Sequence, residues 1–132
     1  SCYKSIKGYL MKYKISYLVA PLFFILSLNV SAEYKTTDFT DEEYQKVAES
    51  SGEYRKCLNK TALEQIELQN DARAIADYAM KNCAPVLEGL NEYLISANYA
   101  PEAVRRLLGS TANHAANKLL RNLTRTMATL KP

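Results

Sequence analysis

The sequence predicts an all-α protein: a small antiparallel bundle of about four helices with one disulfide between two of them. Two observations lead to this prediction. After residue 40, apolar residues recur every three or four positions, and no alternating strand pattern continues for long. Two cysteines also lie at similar distances on either side of a predicted turn, which is the spacing that a cross-helix disulfide requires.

The amino-terminal third predicts a secretory signal rather than part of the bundle. A short basic segment precedes an uncharged and mostly apolar run, residues 15–28, and small residues follow up to Ala32. A basic start, an apolar middle and a small-residue end define a cleavable signal peptide. The apolar run has about 14 residues, whereas a helix that spans a bilayer needs about 20. We therefore predict a signal peptide over residues 11–32, cut between Ala32 and Glu33, with an uncleaved anchor as the alternative.

The remaining chain predicts a single domain. Residues 1–10 fit neither the signal nor the bundle, and we interpret them as an upstream extension because Met11 is a better start for the signal. Residues 33–132 then form one helical domain, long enough for a core without a metal ion or several disulfides. Cleavage removes four lysines and changes the net charge from +3 to −1. The basic character of the whole chain belongs partly to the signal and therefore gives no indication of a partner.

The charge of the predicted domain is uneven along the chain. Residues 33–53 hold seven acidic residues and two lysines, whereas residues 103–132 hold six basic residues and no acid. Attraction between these two ends within the fold is the plainest explanation. A pH-dependent release of the acidic segment from the basic end is a second hypothesis, because carboxylates lose their charge on acidification.

The first predicted helix begins at a capping box. Thr40 and Glu43 are three residues apart, so the Thr40 hydroxyl can accept a bond from the Glu43 amide while the Glu43 side chain reaches back. Residues 50–52, Ser-Ser-Gly, predict a break or a bend in this helix. Residues 69–71, Gln-Asn-Asp, predict a turn whose Asn or Asp caps the next helix.

One apolar phase continues through the second predicted helix, from Ala72 to Ala97. Pro85 lies inside it, removes a helical hydrogen bond and favours a kink. Since the phase is the same on both sides of Pro85, we expect one kinked helix rather than two separate helices.

Two more helices are predicted after a loop at residues 98–101. Pro101 suits the first turn of a short helix that ends near Gly109. Ser110 can cap a last helix, whose apolar stripe continues to Leu130. Small residues on these stripes favour close approach of the helices.

The cysteines after the predicted cut, Cys57 and Cys83, predict a structural disulfide. Each is about twelve residues from the turn at Asn70, so two antiparallel helices bring them to the same height at about 1.5 Å per residue. Export leads to an oxidising space in which paired cysteines close. A redox or metal-binding pair is the alternative, but the chain has no Cys-x-x-Cys motif and a single histidine, His114.

The motifs of the common enzyme classes are absent from the sequence. A Ser-His-Asp type of catalysis requires a nucleophile, a base and an orienting group, and the sequence has no Gly-x-Ser-x-Gly turn. The acids at Asp41, Glu42 and Glu43 lie at a helix start, where they favour the helix dipole without any catalytic role. No phosphate-binding loop, dinucleotide turn or haem signature occurs. We therefore predict no enzyme, no catalytic residues, no metal site and no cofactor.

The last predicted helix carries a cationic stripe beside its apolar stripe. The spacing of four, three and four residues places its members on one helix face: His114, Lys118, Arg121 and Arg125. This stripe predicts a docking face for an acidic protein or an anionic envelope component. A solvated helix face is the alternative. We expect no nucleic acid, since export separates the protein from it, and no membrane span after signal cleavage.

The segments around the cysteines, Tyr54-x-x-Cys57 and Ile75-Ala76-Asp77-x-Ala79-Met80-x-x-Cys83, resemble small exported bacterial helical proteins that have a two-cysteine helical hairpin and no assigned activity. The resemblance covers about 30 residues and implies a helical hairpin. It carries over no functional residue. The short lysine-led signal is typical of bacteria and predicts a periplasmic or secreted protein.

Two hypotheses for the function follow. The first is a small exported binding protein with one partner, such as an inhibitor or an immunity-type protein. The second is an envelope stress or holding protein that binds many unfolded clients through apolar faces. A carrier of a small apolar ligand in the bundle core is a third alternative.

Overall fold

The computed structural model of the protein describes residues 33–35 and 38–130. The predicted upstream extension, the signal peptide up to Ala32 and the cysteine at position 2 lie outside the described residues. The unit that contains the helices begins at Tyr34. The structure confirms an all-helical fold over the described residues. Helix α1 is Asp41–Ile66, α2 is Ala72–Ser96 and α3 is Pro101–Leu130.

Helix α1 begins at the predicted capping box. The Glu43 amide donates to Thr40 Oγ1 at 3.2 Å, and the Thr40 amide donates to Glu43 Oε2 at 2.9 Å. The helix then continues through residues 50–52 without the predicted break. Ser50 is buried there, and Tyr54 continues the same buried face, so packing against the other helices compensates for the weak helix propensity of Ser and Gly.

Helix α2 begins at the predicted turn and continues through Pro85. The Asp71 carboxylate caps it by accepting from the amides of Arg73 at 2.9 Å and Ala74 at 3.3 Å. Pro85 lies inside a single helix, as the continuous apolar phase predicts. The helix ends at Ser96, and Asn98, two residues later, adopts a left-handed backbone conformation with φ 68°. Asn tolerates this conformation better than most residues, and it redirects the chain so that Tyr99 turns into the interior.

Helix α3 replaces two predicted helices, so the prediction of four helices is wrong. The chain is helical without interruption from Pro101 to Leu130 and passes through Gly109 and Ser110. A glycine in a helix interior costs about 0.5–1 kcal/mol relative to alanine. The apolar residues on either side, Leu108 and Ala112, pack against the bundle, and their burial outweighs this local cost.

The chain reverses direction twice, so that α2 is antiparallel to both neighbours and α1 is parallel to α3. Helix α1 packs more extensively against α2 than against α3. The larger core cluster lies between all three helices and combines large side chains with alanines: Tyr54, Leu58, Ala62, Ile75, Ala76, Ala79, Cys83, Ala115, Leu119 and Leu123. A second cluster lies towards the start of α1 and is formed by Leu90, Leu94, Tyr99 and Val104.

The predicted disulfide is confirmed. Cys57 on α1 bonds to Cys83 on α2, with their Cα atoms 5.9 Å apart. Because both sulfurs are in the bond, neither has a proton, and the Thr61 hydroxyl is the donor in its 3.7 Å contact with Cys83 Sγ. Asn82 Nδ2 lies 3.5 Å from the same hydroxyl oxygen. The seam between α1 and α2 is therefore held by a covalent bond, apolar packing and side-chain hydrogen bonds.

Candidate functional site

The cationic stripe of α3 borders a groove between α1 and α3. Ala115, Leu119 and Leu123 are buried on the inner face of α3. The helical period then places His114 and Lys118 at the margin of this face, where both are exposed. Both side chains line the space between the two helices.

The groove has two adjoining parts, which we call together the α1–α3 groove. One part has a volume of about 340 Å³ and is lined by Ala48, Ser51, Arg55, Ser110, Thr111, His114 and Ala115. The other part is smaller, about 50 Å³, and is lined by Arg55, Leu58, Asn59, Ala115, Lys118, Leu119 and Asn122. Arg55 on α1 and Ala115 on α3 line both parts, so the two parts adjoin each other.

Arg55 is the residue that the sequence analysis missed. It is exposed on α1, beside the buried Tyr54. Arg55 lines both parts of the α1–α3 groove from α1, whereas His114 and Lys118 line it from α3. No periodic signal in α1 marks it, because its relation to α3 arises only when the two helices pack side by side.

Only two of the four residues of the predicted cationic stripe line the groove. His114 and Lys118 line the α1–α3 groove. Arg121 and Arg125 are exposed on the same helix, but neither lines this groove.

The cations around the groove have no acidic partners within the described part of the chain. Residues 33–35 and 38–130 contain two ion pairs, Lys35 with Glu43 at 3.6 Å and Arg105 with Glu102 at 3.5 Å. Residues 38–53 therefore form no ion pair with α3. The positive charge of the groove is left for solvent or a ligand.

A buried polar cluster occupies the other end of the bundle. The Tyr99 hydroxyl lies 2.6 Å from Glu43 Oε2 and 2.9 Å from the Asp38 carbonyl oxygen. Only 7% of Glu43 and 3% of Tyr99 are exposed. Two backbone hydrogen bonds hold Lys35 beside this cluster. The Lys35 amide donates to the Asn98 carbonyl at 2.9 Å, and the Ala100 amide donates to the Lys35 carbonyl at 3.0 Å.

The contacts within this cluster shift the pKa values of both side chains. The hydrogen bond from Tyr99, with the Thr40 amide and the Lys35 ammonium, holds the pKa of Glu43 below its ordinary value although desolvation opposes this. Desolvation and the bond to Glu43 raise the pKa of Tyr99 to about 12. The carboxylate is already bonded by a hydroxyl and an amide, so the cluster serves to fasten the start of α1 to the loop before α3.

A second, more apolar groove lies on the opposite side of α3. It has a volume of about 380 Å³ and is lined by Tyr54, Met80, Ala84, Leu87, Glu88, Asn91, Leu108 and Ala112. The alanines on its walls leave space where larger side chains would close the contact. Its volume is within the range of small-molecule sites, although its two polar side chains lie among mainly apolar neighbours.

Within residues 33–35 and 38–130, no three His, Cys, Asp or Glu side chains are grouped so that they could hold a metal ion. In the same ranges, no helix has an apolar stretch long enough to cross a bilayer. Comparisons with protein families, with curated proteins and with solved structures found no match to the chain.

Proposed function

We propose that the protein is a small exported binding protein that captures one acidic partner through the cationic side of α3. The observation that carries this proposal is the group of cations beside the α1–α3 groove that have no ion-pair partner among the described residues. Unpaired charge of one sign in a concave surface attracts ligands of the opposite sign and accelerates their association. The protein needs no catalytic group for this role.

Export is supported by two separate features. The segment 11–32 has the order of charge, apolar run and small residues that a signal peptide has. The Cys57–Cys83 disulfide is of the kind that persists in the periplasm or outside the cell. Resemblance to small exported helical proteins with a two-cysteine hairpin points in the same direction.

The experiment is a capture assay with tagged protein exported by its own signal. We expect one companion in stoichiometric amount in envelope extract, retained at low salt and released at high salt. The triple variant Lys118→Ala/Arg121→Ala/Arg125→Ala should lose this companion. The mass of the recovered chain shows in the same sample whether it begins at Glu33.

The matched control neutralises cations on another helix, with Arg73→Ala and Lys81→Ala on α2. Both residues are exposed, and this variant should retain the companion. Retention of the companion by the α3 variant would contradict the proposal. A scatter of unfolded proteins, captured equally by both variants, would support the holding-protein alternative instead.

A carrier of a small apolar ligand is the second candidate, and the groove beside Tyr54, Leu87 and Leu108 favours it. An environment-sensitive apolar dye should then bind the wild-type protein. Ala112→Phe, which fills this groove, should abolish the dye signal but leave capture of an acidic partner unchanged.

A further inference from the structure

We infer that the α1–α3 groove holds an extended acidic segment of a polypeptide, with carboxylates on alternate residues. This inference rests on the proposed function and names the class of partner. It differs from docking on the face of α3 alone, because it assigns a binding role to Arg55 on α1 and a smaller one to Arg121 and Arg125.

Basic side chains from two helices line the same groove. Arg55 lines both parts of the groove, while His114 and Lys118 each line one of them from the opposite wall. A carboxylate between these walls is approached from both sides, and a planar guanidinium can bind it through two hydrogen bonds. A ligand on the outer face of α3 would meet that helix alone.

The groove is as long as several residues of an extended chain. Its lining extends over residues 48–59 of α1 and residues 110–122 of α3. At 1.5 Å per residue this corresponds to about 17 Å. A fully extended chain rises about 3.3 Å per residue, so the groove accommodates about five residues.

The spacing of the basic residues on α3 matches the repeat of an extended chain. His114 and Lys118 are four residues apart, which is a rise of about 6 Å along α3. In an extended chain, side chains on the same face are two residues apart, or about 6.6 Å. Carboxylates on alternate residues therefore match the imidazole N–H of His114 and the ammonium of Lys118, whereas carboxylates on adjacent residues point to opposite faces.

Two carboxamides in the groove favour a polypeptide over a phosphate polymer. Asn59 and Asn122 line the smaller part of the groove, and neither carboxamide has a hydrogen-bond partner within the described part of the chain. A carboxamide both donates and accepts, and the backbone of an extended peptide offers free amides and carbonyls to match. A phosphate chain offers acceptors only and would leave the carboxamide oxygens unpaired. A helical ligand would bond its own amides internally.

The experiment measures the fluorescence anisotropy of two labelled peptides of identical composition at low salt. The alternating peptide is Glu-Ala-Glu-Ala-Glu and the clustered peptide is Glu-Glu-Glu-Ala-Ala. We expect the alternating peptide to bind about fivefold more tightly, because one additional exposed ion pair contributes at most about 1 kcal/mol. Binding should weaken as the salt concentration rises.

Arg55→Ala and Lys56→Ala form a matched pair of variants. Both residues are exposed neighbours on α1, but only Arg55 lines the groove. Arg55→Ala should weaken binding of the alternating peptide about fivefold, while Lys56→Ala should change this binding by less than about twofold. Since neither side chain is buried, unchanged circular dichroism should confirm that both variants fold.

Equal binding of the two peptides would overturn the inference, and so would equal losses in the two variants. Displacement of the alternating peptide by inorganic polyphosphate at a lower charge concentration than by unlabelled peptide would overturn the choice of polypeptide. If such a result occurs while the triple α3 variant still loses its companion, the proposed function stands and the groove assignment falls. If neither peptide binds and no salt-sensitive companion is captured, both fall.

Discussion

Helix α1 has two seams of opposite character. Its seam with α2 contains the Cys57–Cys83 bond, the buried Thr61 hydroxyl and apolar side chains of the larger core. Its seam with α3 opens into a groove whose walls carry Arg55, Lys118 and unpaired carboxamides. The first seam is therefore closed by a covalent bond and packing, whereas the second leaves polar side chains exposed to solvent.

The largest expected effect is on the closed seam. The double variant Cys57→Ala/Cys83→Ala removes a bond between residues 26 positions apart and should lower the free energy of unfolding by about 3.5 kcal/mol. Urea denaturation measures this loss, and reduced wild-type protein should show the same one. A loss below about 1 kcal/mol would mean that packing alone closes this seam.

Leu58 lies under both seams and tests whether they share one core. Leu58→Ala should lower the free energy of unfolding by about 3 kcal/mol, because Leu58 is 1% exposed and truncation leaves a cavity. Leu63→Ala, at a position 64% exposed on the same helix, is the control and should change it by less than about 0.5 kcal/mol. Similar losses in both variants would contradict the placement of the core.

The Glu43–Tyr99 contact ties the start of α1 to the loop before α3, away from the groove. Because the folded pKa of Glu43 is lowered, its stabilisation is complete above the ordinary value of 4.5 and is lost as the pH falls through the folded pKa. Wild type should therefore lose more stability between pH 7 and pH 3 than Glu43→Gln does. Thermal unfolding at the two pH values measures the difference, and Glu42→Gln is the exposed control.

Tyr99→Phe tests the same contact from its other side. The raised pKa of Tyr99 means that its contribution is complete below pH 10 and is lost as the pH rises towards about 12. Burial also raises the pKa values of Tyr54 and Tyr93, so the difference between wild type and Tyr99→Phe isolates this residue. An identical alkaline loss in both proteins would exclude the Glu43–Tyr99 bond.

The smallest expected effect concerns Gly109, beside the open seam. A Cβ atom at this position would meet no heavy atom within 4 Å, and the residue lies inside α3. Gly109→Ala should therefore raise the free energy of unfolding by about 0.5–1 kcal/mol. Chemical denaturation measures the gain. A loss of stability would instead indicate that the chain needs the freedom of glycine to bend between two helices.

Local signals in the sequence were sufficient for most of the helical framework. The capping box of Thr40 and Glu43 predicts the start of α1, and Asp71 predicts the start of α2. The constant apolar phase predicts one helix through Pro85. These signals work because capping and helical periodicity depend on residues a few positions apart. At residues 50–52, where a break or a bend was predicted, α1 is not broken. The helix end predicted near Gly109 was wrong, because a local signal does not include the stability that the burial of neighbouring residues provides.

The sequence by itself determined the helical class, the caps and the pairing of Cys57 with Cys83, since each depends on spacing along one helix or across one short turn. The tertiary structure alone decided which cations share a groove and which acid is buried. Arg55 lines the same groove as His114 and Lys118, which follow it by about 60 residues in the chain. The Tyr99 hydroxyl bonds to Glu43, a residue 56 positions away in the sequence. Such neighbours arise from helix packing, which depends on the simultaneous burial of all three apolar stripes. The sequence around each of these residues contains no periodic pattern that predicts its neighbour on another helix.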